Sequence, residues 1–149
     1  MTISNDVIRE ADEQFSVVLS NPTNASIATG TGSVTITDDD LPPTVSIQNN
    51  TTIEDFGSVQ VQVNLSNASA ESISVDVASS NGTATAGLDY EAVAETLTFA
   101  PGETTKAVSV IVLSDALDEF DETFNLTLAN PVNTSITAGT ATVLSLIHI

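Results

Sequence analysis

A chain of 149 residues carrying 20 acidic side chains against two basic ones, Arg9 and Lys106, has a formal charge of −18. That balance leaves no basic patch for nucleic acid and no attraction to an anionic membrane surface, while 41% hydrophobic residues argue against charge-driven disorder. There is no cysteine for a disulfide framework, and no apolar run approaches the roughly 20 residues of a membrane-inserted helix.

The chain opens on Met-Thr-Ile-Ser-Asn-Asp, without the basic and apolar regions of a signal peptide, so export information is expected outside it. An acid-rich stretch with Asp6, Glu10, Asp12 and Glu13 then leads into two strands, around Phe15–Leu19 and Val34, and closes on Asp38-Asp39-Asp40. This segment recurs. Set Asp6 against Asp115, a shift of 115 − 6 = 109, and Glu10/Glu119, Asp12/Asp121, Glu13/Glu122 and Phe15/Phe124 coincide without a gap. So do Leu19/Leu128, Asn21-Pro22/Asn130-Pro131, Asn24/Asn133, Gly30-Thr31/Gly139-Thr140 and Val34/Val143. A period this long suits an array of complete domains rather than a solenoid of 20–50-residue repeats. Residues 1–40 therefore read as the C-terminal fragment of one repeat, holding its last two strands, and 41–149 as a nearly complete second repeat.

In the second repeat the apolar residues alternate. Val59, Val61, Val63 and Leu65 share one face; so do Ile73, Val75 and Val77, and again Phe124, Leu126 and Leu128. Period two with one dry and one wet face is the pattern of an antiparallel sheet. Strands are expected near 44–48, 58–65, 72–79, 95–99, 106–112, 123–129 and 139–147, parted by turns such as Asn81-Gly82 and Ala100-Pro101-Gly102-Glu103. About seven short strands without a competing helical period predict an all-β, immunoglobulin-like antiparallel β-sandwich.

In such a sandwich, alternate connections gather at one pole, and the acids fall there. Glu54 and Asp55 lie between the first and second strands, and Asp89 between the third and fourth. Asp115, Asp118, Glu119, Asp121 and Glu122 lie between the fifth and sixth. Asp38, Asp39 and Asp40 follow the last strand of the preceding repeat, whereas the opposite pole holds few acids. Calcium takes six to eight oxygen ligands and can be served by converging loops, while zinc favours His or Cys; the only His is His148, in the tail. Each acid taken alone is also consistent with a solvated loop charge.

Several stretches together resemble the Calx-beta domain family: Asn81-Gly-Thr-Ala-Thr-Ala-Gly-Leu-Asp-Tyr90, Leu97-Thr-Phe-Ala-Pro-Gly-Glu-Thr-Thr-Lys106, Asp115-Ala-Leu-Asp-Glu-Phe-Asp-Glu-Thr-Phe124, Asn130-Pro131, and Val34-Thr-Ile-Thr-Asp-Asp-Asp40. The resemblance implies Ca2+ at the acidic pole. Carried over residue by residue, its ligands fall on Glu54, Asp89, Asp115 and Glu119, with Asp118 as a neighbour, and in the first segment on Asp6, Glu10, Asp38, Asp39 and Asp40. Two departures stand out. Ser114-Asp115 replaces a pair of acids, and the second repeat ends Val143-Leu-Ser-Leu-Ile-His-Ile149, lacking the acid triplet, so 144–149 reads as an atypical tail.

The family occurs in sodium–calcium exchangers and in tandem arrays of large bacterial surface and secreted proteins. The acidic array here looks like the latter. The resemblance thus implies a calcium-binding structural or adhesive repeat module, extracellular or at the cell surface, contacting neighbouring repeats and a cell-surface or matrix partner. The alternative is a metal-independent spacer or adhesin domain with a merely acidic surface. An enzyme is not expected: without Trp or Cys, and with one Tyr and one His, sugar stacking and nucleophile–base chemistry have little to work with.

Overall fold

The computed structural model describes residues 2–53, 57–114 and 120–146. The described residues form strands and no helix: β1 (Glu13–Val18), β2 (Thr31–Ile36), β3 (Thr44–Ile47), β4 (Asn50–Ile53), β5 (Ser58–Leu65), β6 (Ile73–Asn81), β7 (Ala94–Phe99), β8 (Thr105–Ile111), β9 (Glu122–Val132), β10 (Ser135–Ala138) and β11 (Thr140–Leu146). From β3 onward they make two facing sheets, ordered β10-β3-β5-β8 and β4-β11-β9-β6-β7. The expected all-β sandwich is what forms.

Alternation dictates which residues fill the space between the sheets. Val59, Val61, Val63 and Leu65 from β5 and Val108 and Val110 from β8 point inward from one side. Ile73, Val75, Val77, Phe124, Leu126, Leu128, Ala141 and Val143 point inward from the other. Burying side chains of this size contributes about 1.5–3 kcal/mol each, which carries the fold without disulfides.

The strand expected near 44–48 forms as β3, and a further short strand that was not expected, β4, follows it in the other sheet. β3 pairs antiparallel with β5, whereas β4 pairs parallel with β11. The chain before the last strand behaves the same way: β10 pairs parallel with β3, and β11 crosses to β9. β9 runs past its predicted end, through Asn130-Pro131, because the register against β6 shifts between Ser74 and Asp76 and takes up the extra residues. The tail also stays in the sheet to Leu146, paired with Ile53, although Leu144, Ser145 and Leu146 are only half-buried.

β1 and β2 form a separate antiparallel hairpin. It repeats the local structure of β9–β11 closely. Asn21, Asn24, Asn130 and Asn133 all have positive φ, at 52°, 55°, 47° and 59°, a conformation that Asn tolerates better than most residues. Leu19 donates its amide to the Gly30 carbonyl at 2.8 Å, as Leu128 does to Gly139 at 2.7 Å. The environments differ. Val17, Leu19 and Val34 are exposed, while their counterparts Leu126, Leu128 and Val143 are buried, because among the described residues no second sheet faces the hairpin.

Candidate functional site

At one pole of the sandwich the connections are tied together by their backbones. The Val112 amide donates to the Gly57 carbonyl at 3.2 Å, and the Leu113 amide donates to the Asp89 carbonyl at 2.9 Å. The Ala84 amide reaches the Thr123 carbonyl at 2.9 Å, and the Thr123 amide reaches the Thr83 hydroxyl at 2.8 Å. Segments adjoining Glu54, Asp89, Asp115 and Asp121 are thereby brought to the same end of the molecule. Glu54, Asp115, Asp118 and Glu119 themselves lie outside the described residues.

Asp89 is the expected ligand of this pole that the structure describes. It is half-buried, and its Oδ2 accepts the Thr85 amide at 2.6 Å, closing a tight loop. The next residue fixes that loop to the core. Tyr90 is fully buried and stacks on Phe124, with ring centroids 4.3 Å apart and planes 12° off parallel. Its hydroxyl donates to Asn81 Oδ1 at 2.8 Å, and the same oxygen accepts the Ala86 amide at 3.0 Å. The carboxylate oxygen of Asp89 not engaged by Thr85 has lone pairs available to a cation.

The hairpin brings a second set of acids together. Asp6, Glu10, Asp38, Asp39 and Asp40 line one shallow concavity with Ser4, Asn5 and Glu13. Partial burial, then repulsion from Asp38, Asp39 and Asp6, pushes the Asp40 carboxyl above its ordinary value. Asp38 goes the other way, held low chiefly by the guanidinium of Arg9, whose Nη1 lies 2.7 Å from Asp38 Oδ2. The Glu10 amide also donates to Asp38 Oδ2 at 3.1 Å, and the Asp38 amide donates to Asp12 Oδ1 at 3.0 Å.

All five acids expected in the first segment thus meet in space. Glu13 lines the same concavity, and Arg9 and Asp12 are bonded to Asp38, although the sequence pattern marks none of the three as a site residue. A signal was present for Arg9: the shift of 109 places it opposite Asp118 (9 + 109), a basic residue where the other repeat is acidic. The acids at the sandwich pole and in the hairpin concavity offer oxygen donors only, which fits a hard, oxygen-seeking cation such as calcium and not a thiolate or imidazole site. Among the described residues, no group of three or more Asp, Glu, His or Cys is disposed to hold a metal ion.

Fold and acidic poles together define a class, the tandem acidic β-sandwich module. The family model of the Calx-beta domain matches residues 1–40 and again 38–146, and the chain belongs to that family. Sodium/calcium exchanger 1 of Bos taurus is 40% identical over 75 residues, which is 50% of this chain and 8% of the exchanger. Human sodium/calcium exchanger 2 is 38% identical over 79 residues, 52% of this chain and 9% of that protein. The chain therefore spans under a tenth of these relatives' length. Among solved structures, the apo-form Calx CBD1 domain superposes with a TM-score of 0.68 at 27% identity, covering 72% of this chain and 98% of that one. CBD12 from CALX1.2 gives 0.67 at 28% identity, covering 70% of this chain and 44% of that one.

Proposed function

We propose that this chain is a calcium-binding structural module of a larger protein, with residues 1–40 closing one repeat and 41–149 forming the next. The observation that carries this reading is the backbone stitching of Gly57, Asp89, Leu113 and Thr123 at one pole, on segments that carry the acids. Glu54, Asp89, Asp115 and Glu119, with Asp118 beside them, would hold the ion in the sandwich. Asp6, Glu10, Asp38, Asp39 and Asp40 would do so in the first segment. Similarity to the calcium binding domain CBD12 of CALX1.1, at 28% identity, supports the choice of ion. The role is one of binding and shape rather than catalysis.

A bound ion would neutralise carboxylates that otherwise repel one another. Because the second repeat lacks an acid triplet after its last strand, its affinity should fall in the weak extracellular range of roughly 10⁻⁴–10⁻³ M. At millimolar calcium, roughly one to ten times such a Kd, ligand binding to the native state alone adds about 0.4–1.4 kcal/mol. Millimolar calcium should therefore raise the melting temperature relative to EDTA, and an unchanged melting temperature would reject the reading. The tandem arrangement and the charge of −18 support an extracellular or cell-surface location with an adhesive role toward a surface or matrix partner; fractionation of the native host tests the location.

One observation favours the metal-independent spacer instead. The Arg9 guanidinium already neutralises Asp38 at 2.7 Å. On that reading magnesium, calcium and EDTA leave the same melting curve.

A further inference from the structure

The residue that neutralises Asp38 also touches the next repeat. The Arg9 amide donates to the Ala68 carbonyl at 3.2 Å, and the Ala70 amide donates back to the Arg9 carbonyl at 2.8 Å. Arg9 and Ser69 thus form an isolated bridge between the acidic end of the hairpin and the far pole of the sandwich. The receiving segment is itself braced. Ser69 is buried, its hydroxyl accepts the Glu71 amide at 3.0 Å, and its carbonyl accepts the Gly102 amide at 2.9 Å. Nearby, Asn67 Nδ2 donates to the Leu41 carbonyl in the connecting segment at 3.0 Å.

We infer that Arg9 is a metal-independent clamp for the joint between the two repeats. Its side chain holds Asp38, at the exit of β2, while its backbone pairs with Ala68–Ala70 of the following repeat. Charge supports the same geometry: Glu71, on the receiving segment, attracts the guanidinium along with Asp38 and Asp12. The clamp explains a lone arginine in a strongly acidic stretch. An acidic residue at this position, such as the Asp118 of the other repeat, could not pair with Asp38 and would be repelled by Glu71. The receiving surface is the 66–71 segment, and its partner is the arginine-bearing edge of the repeat before it.

Amide hydrogen exchange of the whole chain in EDTA tests this directly, since the Arg9 and Ala70 amides are the two donors of the joint. In the wild type both should be protected. Arg9→Gln and Asp38→Asn should each speed their exchange about two- to fivefold, the worth of a partly exposed ion pair, and Arg9→Lys should restore most of the protection. The amides of Leu65 and Ala84, which donate to Thr104 and Thr123 inside the sandwich, should not change and so report intact folding. Equal exchange in wild type and Arg9→Gln would overturn the clamp, as would unprotected amides in the wild type. Calcium is absent throughout, so either outcome leaves the metal reading to its own test.

Discussion

Tyr90 lies flat against Phe124, with centroids 4.3 Å apart, directly after the one acid of the sandwich pole whose carboxylate geometry is described. The stack ties the Asp89 loop to β9, and the Tyr90 hydroxyl ties it again to Asn81. Tyr90→Phe keeps the ring and removes the second tie. The loss should be about 0.5–1.5 kcal/mol of stability, whereas Tyr90→Ala, emptying a buried aromatic site, should cost about 3–5 kcal/mol. Urea denaturation of the two variants measures both; equal losses would show that the ring contributes nothing beyond its hydroxyl.

Gly82 is required where β6 gives way to the Asp89 loop. A Cβ at that position would collide with the Thr123 carbonyl oxygen and crowd the Thr123 hydroxyl at 2.8 Å. The backbone of β9 cannot retreat, because the Thr123 carbonyl also accepts the Ala84 amide. Gly82→Ala should destabilise by about 1–3 kcal/mol, the usual range for overpacking. Gly87→Ala makes a useful contrast in the same melting experiment. Nothing lies within 4 Å of its Cβ, and its penalty comes only from a φ of +86°.

Asp76 should contribute to the acid side of the stability profile. Thr96 Oγ1 donates to its Oδ1 at 2.6 Å, and Asn130 Nδ2 donates to its Oδ2 at 2.9 Å. These bonds, Thr96 first, hold its carboxyl below the ordinary value. A depressed folded-state value means stability that is fully present above the unfolded value, near 3.8, and lost as the pH falls through the lower folded value. Asp76→Asn should flatten the fall of the melting temperature below the ordinary value near 3.8 and leave the neutral-pH slope unchanged. An unaltered acid limb would show that the two bonds favour neither protonation state.

Much of this architecture could be read from side-chain periodicity, because each sandwich strand has one dry face. Val59, Val61 and Val63, or Phe124, Leu126 and Leu128, announce both a strand and its orientation, and all are buried. β4 and β10 were not legible. Asn50–Ile53 and Ser135–Ala138 are short and mostly polar, and they exist because the chain switches sheets beside an edge, which no local pattern encodes. At the sites the division is similar. The repeat located the acids, but the partner of Asp38 depends on a contact 29 residues away in sequence, and the role of Ala68–Ala70 on a contact between repeats. Tyr90 could be quoted as part of a motif; that it is the pillar under Asp89 follows only from its stack on Phe124.

Calcium titration by isothermal calorimetry, comparing the wild type with Asp115→Asn, Asp89→Asn and Asp76→Asn, tests the central claim most directly. Asp76 carries the same charge as the other two but is mid-strand, bonded to Thr96 and Asn130 and away from the pole. If calcium is held by the pole, losing Asp115 or Asp89 should weaken binding several-fold more than losing Asp76, whose removal withdraws only a screened charge beyond about 10 Å. Equal weakening by all three substitutions, or no heat of binding in the wild type, would leave an acidic surface without a site and contradict the account.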